Sequence, residues 1–307
     1  MKNSLRSKIY NAQCIGNVEP IEYMTPYPSM RSLMKGQTIK FSNQVINERF
    51  NITNFGFYSL VQQTSNWLES IGIKPRQRVI LPELADYQSE ILLFGIWNLG
   101  ASAVFSHDLH IDKIKESCTN VRTLTLKTDL FKEIESFSDN FEPKYKPLLS
   151  DEAVLTFEKK PGIRLSHYNL LVNVNGVQKA IKLKSRTRFH SDLKVGSTCW
   201  VIFQVILPFY CGCIKDKSKS DVTIGLSGSE YNIRHDLKNI EKFSEDDIGI
   251  CLENTAALCI GKNPIHLSDY KIMKKGIKIK GHSVMMGYLE DKINEKIFNE
   301  DDLTILF

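Results

Sequence analysis

Residues 151–173 read DEAVLTFEKKPGIRLSHYNLLVN and decide the fold. The first seven form a strand-like run, and Glu158, Lys159, Lys160, Pro161 and Gly162 form a tight turn. After the turn, Ser166 suits a helix N-cap, and Leu170, Leu171, Val174 and Val177 recur beyond it at helical spacing. The stretch therefore predicts strand, turn and helix. A loop that wraps phosphate needs backbone N–H groups close to oxygen, which glycine permits and bulkier residues hinder. This turn has one glycine and no hydroxyl. Lys159 and Lys160 would attract an anion without building such a cradle, and the simpler reading is that they decorate a solvated turn.

Upstream, the pattern alternates between helix and strand. A first helix is expected from about Ser29 to Gly36. A second covers 58–71, with Val61, Thr64, Leu68 and Ile71 on one face and Gly72 placed to end it. Residues 78–81 make a short buried strand. Residues 87–99 are apolar nearly all round, and Gly100 stops that helix before a strand at 102–105. Such alternation predicts a parallel sheet. A strand at 121–126 and a short helix at 129–136 follow. Residues 138–147, with Pro143 and Pro147, are the best linker, dividing the chain into α/β units at 1–147 and 148–307.

Downstream, 199–212 is the most hydrophobic run, but Gln204 and Pro208 interrupt it and it falls short of the roughly 20 residues of a membrane span. It reads as a buried helix. A polar turn at 215–220, a strand at 222–226 and a helix near 233–243 come next. Residues 270–280 form a half-buried hairpin, with Tyr270, Ile272, Ile277 and Ile279 on one face and Lys271, Lys278 and Lys280 on the other.

Forty basic against 35 acidic residues give a net charge of +5, spread along the chain, so no nucleic-acid partner is expected. Seven cysteines, an odd number without framework spacing, point to reduced thiols in a cytoplasmic setting. Cys211 and Cys213 lack a second close pair, and His107, Asp108 and His110 read as a polar loop, so no metal site is expected. Residues 1–10 are charged without an apolar core behind them, so no secretory signal is expected.

Several blocks resemble AMP-forming acyl-CoA synthetases, of the adenylate-forming superfamily. RLSHYNLLVN (164–173) is similar to the segment after that family's phosphate loop. IGIKPRQRV (71–79) and LGASAV (99–104) resemble its early blocks, and GIKIKGHSVMMGYL (276–289) is similar to its Met-x-Gly-Tyr block. The resemblance implies a reduced α/β N-terminal domain with parallel-rich sheets layered with helices, and without the C-terminal cap domain that bears a catalytic lysine.

The resemblance also implies where a nucleotide would sit. The family's phosphate loop, rich in Ser, Thr and Gly, corresponds to Glu158–Gly162, with Pro161 in place of its lysine. Ser227, Gly228 and Ser229 resemble the adenine-contacting motif. The Tyr-Gly-x-Thr-Glu block falls near residues 251–255, putting its threonine and magnesium-holding glutamate at Glu253 and Asn254, beside Thr255. The block around His190 and Trp200 corresponds to the acyl pocket. Losing three charge-assisted hydrogen bonds of about 1.5–3 kcal/mol each lowers ATP affinity by roughly three to six orders of magnitude. An uncharged Asn254 is a poor ligand for a hard dication. The expectation is a non-catalytic acyl-CoA synthetase relative with no cofactor, binding a fatty or aromatic acyl group or a protein partner. The alternative is a carboxylate-activating ligase using ATP and magnesium with a partner domain.

Overall fold

Helix Asp86–Leu99 forms because its run of apolar side chains is buried on every side, and it ends at Gly100, whose left-handed backbone (φ 86°) glycine adopts without strain. Residues 4–20, 25–107, 109–159, 161–226 and 228–307 are described by the computed structural model. The helix packs on Asn54–Ser70 so closely that a Cβ on Gly95 would sit 2.5 Å from the Thr64 methyl. Trp97 Nε1 donates to Ala153 O at 2.9 Å, fastening the helix pair to the sheet beneath.

Among the described residues the strands form sheets of six, nine and three. The six-stranded sheet runs Gly287–Tyr288, Ile163–Ser166, Glu152–Thr156, Ser102–Phe105, Arg78–Ile80, Val121–Thr123. Its last four strands are parallel, as the alternation predicts. The nine-stranded sheet is parallel from Val45–Asn47 through Ile214–Lys215, Arg188–Ser191, Val222–Gly225 and Tyr231–Arg234 to Asp247–Ile250, with antiparallel strands at both ends. Both large sheets take strands from either side of residue 147. Ser268–Met273, Gly276–Gly281 and Leu303–Leu306 make the small antiparallel sheet.

Helix His167–Ile181 begins where Ser166 predicts it, with Ser166 and Asn169 capping each other's backbone N–H groups. The four residues before it form an antiparallel strand, so the central stretch is a hairpin feeding a helix. Two expectations are corrected, and a third, the buried helix near 200, is borne out with a different winding. The helix expected to end by Gly36, Met30–Phe41, is the second of the chain and passes through Gly36 because Met30, Leu33, Met34 and Gln37 are buried along one face. The helix expected at 233–243 is instead a strand, Tyr231–Arg234, held by parallel partners on both sides, and then a 3₁₀ turn, Leu237–Lys242. The apolar run near 200 is π-helical over Trp200–Ile206, with Leu207 N–H bonding back to Ile202 O, before an α-helical turn at Leu207–Cys211. Among the described residues no helix is long and apolar enough to cross a membrane.

Candidate functional site

The turn after Glu152–Thr156 is stitched down on two sides. On one side, Thr198 donates its N–H and its hydroxyl to Glu158 Oε1, at 2.6 and 2.5 Å, and the His107 ring nitrogen lies 3.8 Å from the same oxygen. On the other, Lys159 Nζ donates to both oxygens of Glu253 at 2.8 and 3.0 Å. Lys159 is therefore not a side chain decorating a solvated turn, because Glu253 is almost fully buried and a buried carboxylate requires a counter-charge. Lys160 lies outside the described residues, as do Ser227 and Asp108.

Glu253 also accepts from the Tyr288 hydroxyl at 2.6 Å. Burial works against the Lys159 charge, but Glu253 outweighs it and holds the lysine pKa above its ordinary value. Burial, reinforced by the Glu253 charge, pushes the Tyr288 phenol well up, so it stays a neutral donor. Lysine, glutamate and tyrosine form a closed polar knot between the turn and the 3₁₀ segment Leu252–Asn254.

Among the described residues of this turn, three have no backbone donor to spare for an anion. Pro161 has no N–H, Gly162 N–H is bonded to Lys159 O at 2.9 Å, and Glu158 N–H reaches Thr156 Oγ1 at 3.3 Å. Gly162 (φ 109°) has no room for a side chain, since a Cβ would lie 2.9 Å from the Phe157 ring and 3.1 Å from Leu289.

The position matched to a magnesium-holding glutamate does not face the turn. Asn254 is fully buried and donates to Ala257 O at 2.9 Å, while the acidic side chain that meets the turn is its neighbour Glu253. Thr255 (φ 70°, ψ −66°) occupies a tight γ-turn closed by Ala256 N–H on Asn254 O, and its hydroxyl donates to Ser283 O at 2.7 Å. A β-branched residue in that backbone region is strained. Gly228 (φ 72°) and Ser229 form a separate turn after Val222–Gly225, with Gly228 exposed to open space.

His190 and Trp200 line different cavities. His190 borders one of about 390 Å³ whose walls include the Lys215–Glu90 ion pair and Asp216. Trp200, fully buried, walls a second of about 400 Å³ with Leu81, Leu84, Phe105 and His107. Val195 borders both. The second cavity lies where the order of the parallel sheet reverses. From Arg78–Ile80 the chain crosses to Ser102–Phe105 on one side, then returns past it to Val121–Thr123 on the other. Crossovers on opposite faces leave a crevice at the carboxyl ends of the first two strands, where open α/β sheets bind ligands. Sequence reasoning found Trp200, took His107 for part of a polar loop and missed this crevice, since strand order has no local signature.

No family model matches the sequence, and no curated protein matches it. Solved structures do. An adenylation and carrier-protein pair from McyG, complexed with phenylalanyl-adenylate, has a TM-score of 0.72 at 15% identity, covering 92% of this chain and 64% of its own. The anthranilate CoA ligase AuaEII, in complex with anthranoyl-AMP, has a TM-score of 0.70 at 14% identity, over 91% of this chain and 74% of that one. The N-terminal domain of FACL13 from Mycobacterium tuberculosis has a TM-score of 0.68 at 13% identity, with coverage of 90% and 95%. The chain thus spans about two thirds to three quarters of the first two and nearly all of the isolated domain. At these identities the shared property is the fold, and the chain folds as the N-terminal domain of an adenylate-forming ligase does.

Proposed function

We propose that the chain is a non-catalytic relative of the AMP-forming acyl-CoA synthetases, retained in a cytoplasmic setting as an acyl-binding or protein-interaction module. The observation that carries this reading is the Lys159–Glu253 ion pair. Adenylation relies on positioned phosphates, a hard dication and stabilisation of the transferring group, all acting together. At this turn an ammonium already neutralises the available carboxylate, and Glu158, Pro161 and Gly162 have no backbone N–H to spare for an anion. The crevice beside Trp200 supports the acyl-binding part, because Leu81, Leu84, Phe105 and Trp200 give it an apolar side for a small acid, while Lys194 and His107, with Glu83 on the same wall, give it a polar one for the head group.

The second reading is a carboxylate-activating ligase that uses ATP and magnesium with a partner domain. The half-exposed Lys159 favours it, since a lysine that swung outward would bare Glu253 for a dication and meet a phosphate itself. Calorimetric titration of the folded protein with ATP and magnesium, then with a stable acyl-adenylate analogue, separates the two. Micromolar binding of either overturns the non-catalytic reading, and silence with both retires the ligase.

A further inference from the structure

At the opposite end of the six-stranded sheet, two cavities lie side by side. One, of about 640 Å³, lies between the first helix, Leu5–Gln13, and the body, and its apolar walls include Leu5, Ile9, Leu149, Tyr168 and Met286. The other, of about 380 Å³, is polar and bordered by Arg76, Arg78 and Arg164. Ser150 and Met286 line both, and Met286 N–H bonds directly to Arg164 O at 2.9 Å. The apolar space therefore opens beside the guanidinium groups.

The charge there has a sign. Glu152 binds Arg78 through two bonds of 2.7 and 2.8 Å and Arg164 through one of 2.7 Å, and Asp151 pairs with Arg76 at 3.3 Å. Three arginines face two carboxylates, leaving one positive charge in excess. Arg164 uses only Nε–H on Glu152, keeps its Nη donors, and is one-third exposed. In the apolar cavity Arg6 and Asp291 contribute one charge of each sign.

The helix that roofs the apolar cavity is fastened at its far end. Asn11 donates to Glu300 O at 2.9 Å, and Gln13 donates to Val284 O and Met285 O at 3.0 and 3.2 Å, while Ala12 is fully buried. Among the described residues its first turns, carrying Leu5 and Ile9, have no such side-chain ties to the body, and both side chains pack against the apolar core. The volume is that of a pocket for a drug-sized ligand.

We infer that these adjoining cavities together bind an amphipathic carboxylate, with its alkyl chain under the first helix and its head group at Arg164. The site is separate from the Lys159 turn and the Trp200 crevice, because the five-residue strand Glu152–Thr156 puts its two ends about 13 Å apart along the sheet. It does not depend on whether the chain binds ATP.

Calorimetry of the whole chain with octanoate, decanoate, dodecanoate and dodecanol tests it. Affinity rises about three- to fourfold per methylene, and dodecanol binds at least fivefold more weakly than dodecanoate. Ile9→Trp, which fills the apolar cavity, weakens dodecanoate at least tenfold. Arg164→Gln weakens dodecanoate but not dodecanol, and Arg76→Gln replaces it if that variant does not fold. Absence of dodecanoate binding overturns the inference. So does binding untouched by Ile9→Trp in a protein whose melting is unchanged, which puts the ligand elsewhere.

Discussion

The Lys159 ammonium lies 2.8 Å from the Glu253 carboxylate across 94 residues of chain, joining the turn that decides the fold to the segment that corresponds to the family's magnesium-holding block. The pair is asymmetric in burial, with the lysine 45% exposed and the glutamate 2%. Its two halves therefore respond differently to removal. Lys159→Met leaves a buried carboxylate with only the Tyr288 hydroxyl and the weak Cys251 thiol as donors, and stability falls by about 3 kcal/mol. Glu253→Gln leaves a lysine free to turn into water and costs about 1 kcal/mol. Urea denaturation of both variants checks this, and equal losses would contradict the geometry.

Much of the architecture was written locally. The all-round apolar helix before Gly100, the Ser166 cap and the hairpin Ser268–Gly281 each rest on residues within a turn or two of one another, so periodicity and capping chemistry found them. Tyr231–Arg234 was misread because four residues carry little periodicity, and what makes them a strand is parallel pairing with Ile224 and Ile248 neighbours on either side. The candidate site was less legible still. The Lys159–Glu253 contact and the crevice between two parallel strands exist only once distant segments meet, and the family pattern put attention on Asn254 one residue too late.

Val195 is 37% exposed and borders both cavities beside the π-helical segment, so it offers a way to close them without touching the core. Val195→Trp is expected to leave stability within about 0.5 kcal/mol of the parent. In the acyl-binding reading it also weakens benzoate binding at least tenfold, read by calorimetry. Unchanged benzoate affinity in the folded variant removes the crevice from that reading.

Two glycines with left-handed backbone should differ sharply when given a methyl group. At Gly228 (φ 72°) a Cβ meets nothing within 4 Å, so Gly228→Ala carries only the backbone penalty of about 1 kcal/mol. At Gly162 (φ 109°) the same methyl presses on Phe157 and Leu289 as well, and packing strain adds roughly 1–3 kcal/mol. Thermal melting of the two alanine variants should therefore rank Gly162→Ala well below Gly228→Ala, and a reversed order would contradict the packing around the turn.

His167 is buried at the start of its helix, with Nδ1 unbonded and the edge of Trp97 nearby, ring centroids 6.3 Å apart. Burial pushes its pKa down to about 4, against a weaker opposite pull from Asp151. The unfolded chain, with an ordinary imidazole near 6.5, therefore takes up the proton first as pH falls. This contribution to stability is complete above about pH 6.5 and disappears as pH drops toward 4, amounting to about 2 kcal/mol between pH 7 and 5. His282, fully buried and lowered by burial as well, acts in the same direction. Urea midpoints at pH 7 and 5 should fall for the parent and fall about 2 kcal/mol less for His167→Gln, with His282 still titrating. An equal drop in both proteins would mean that His167 does not carry the acid sensitivity.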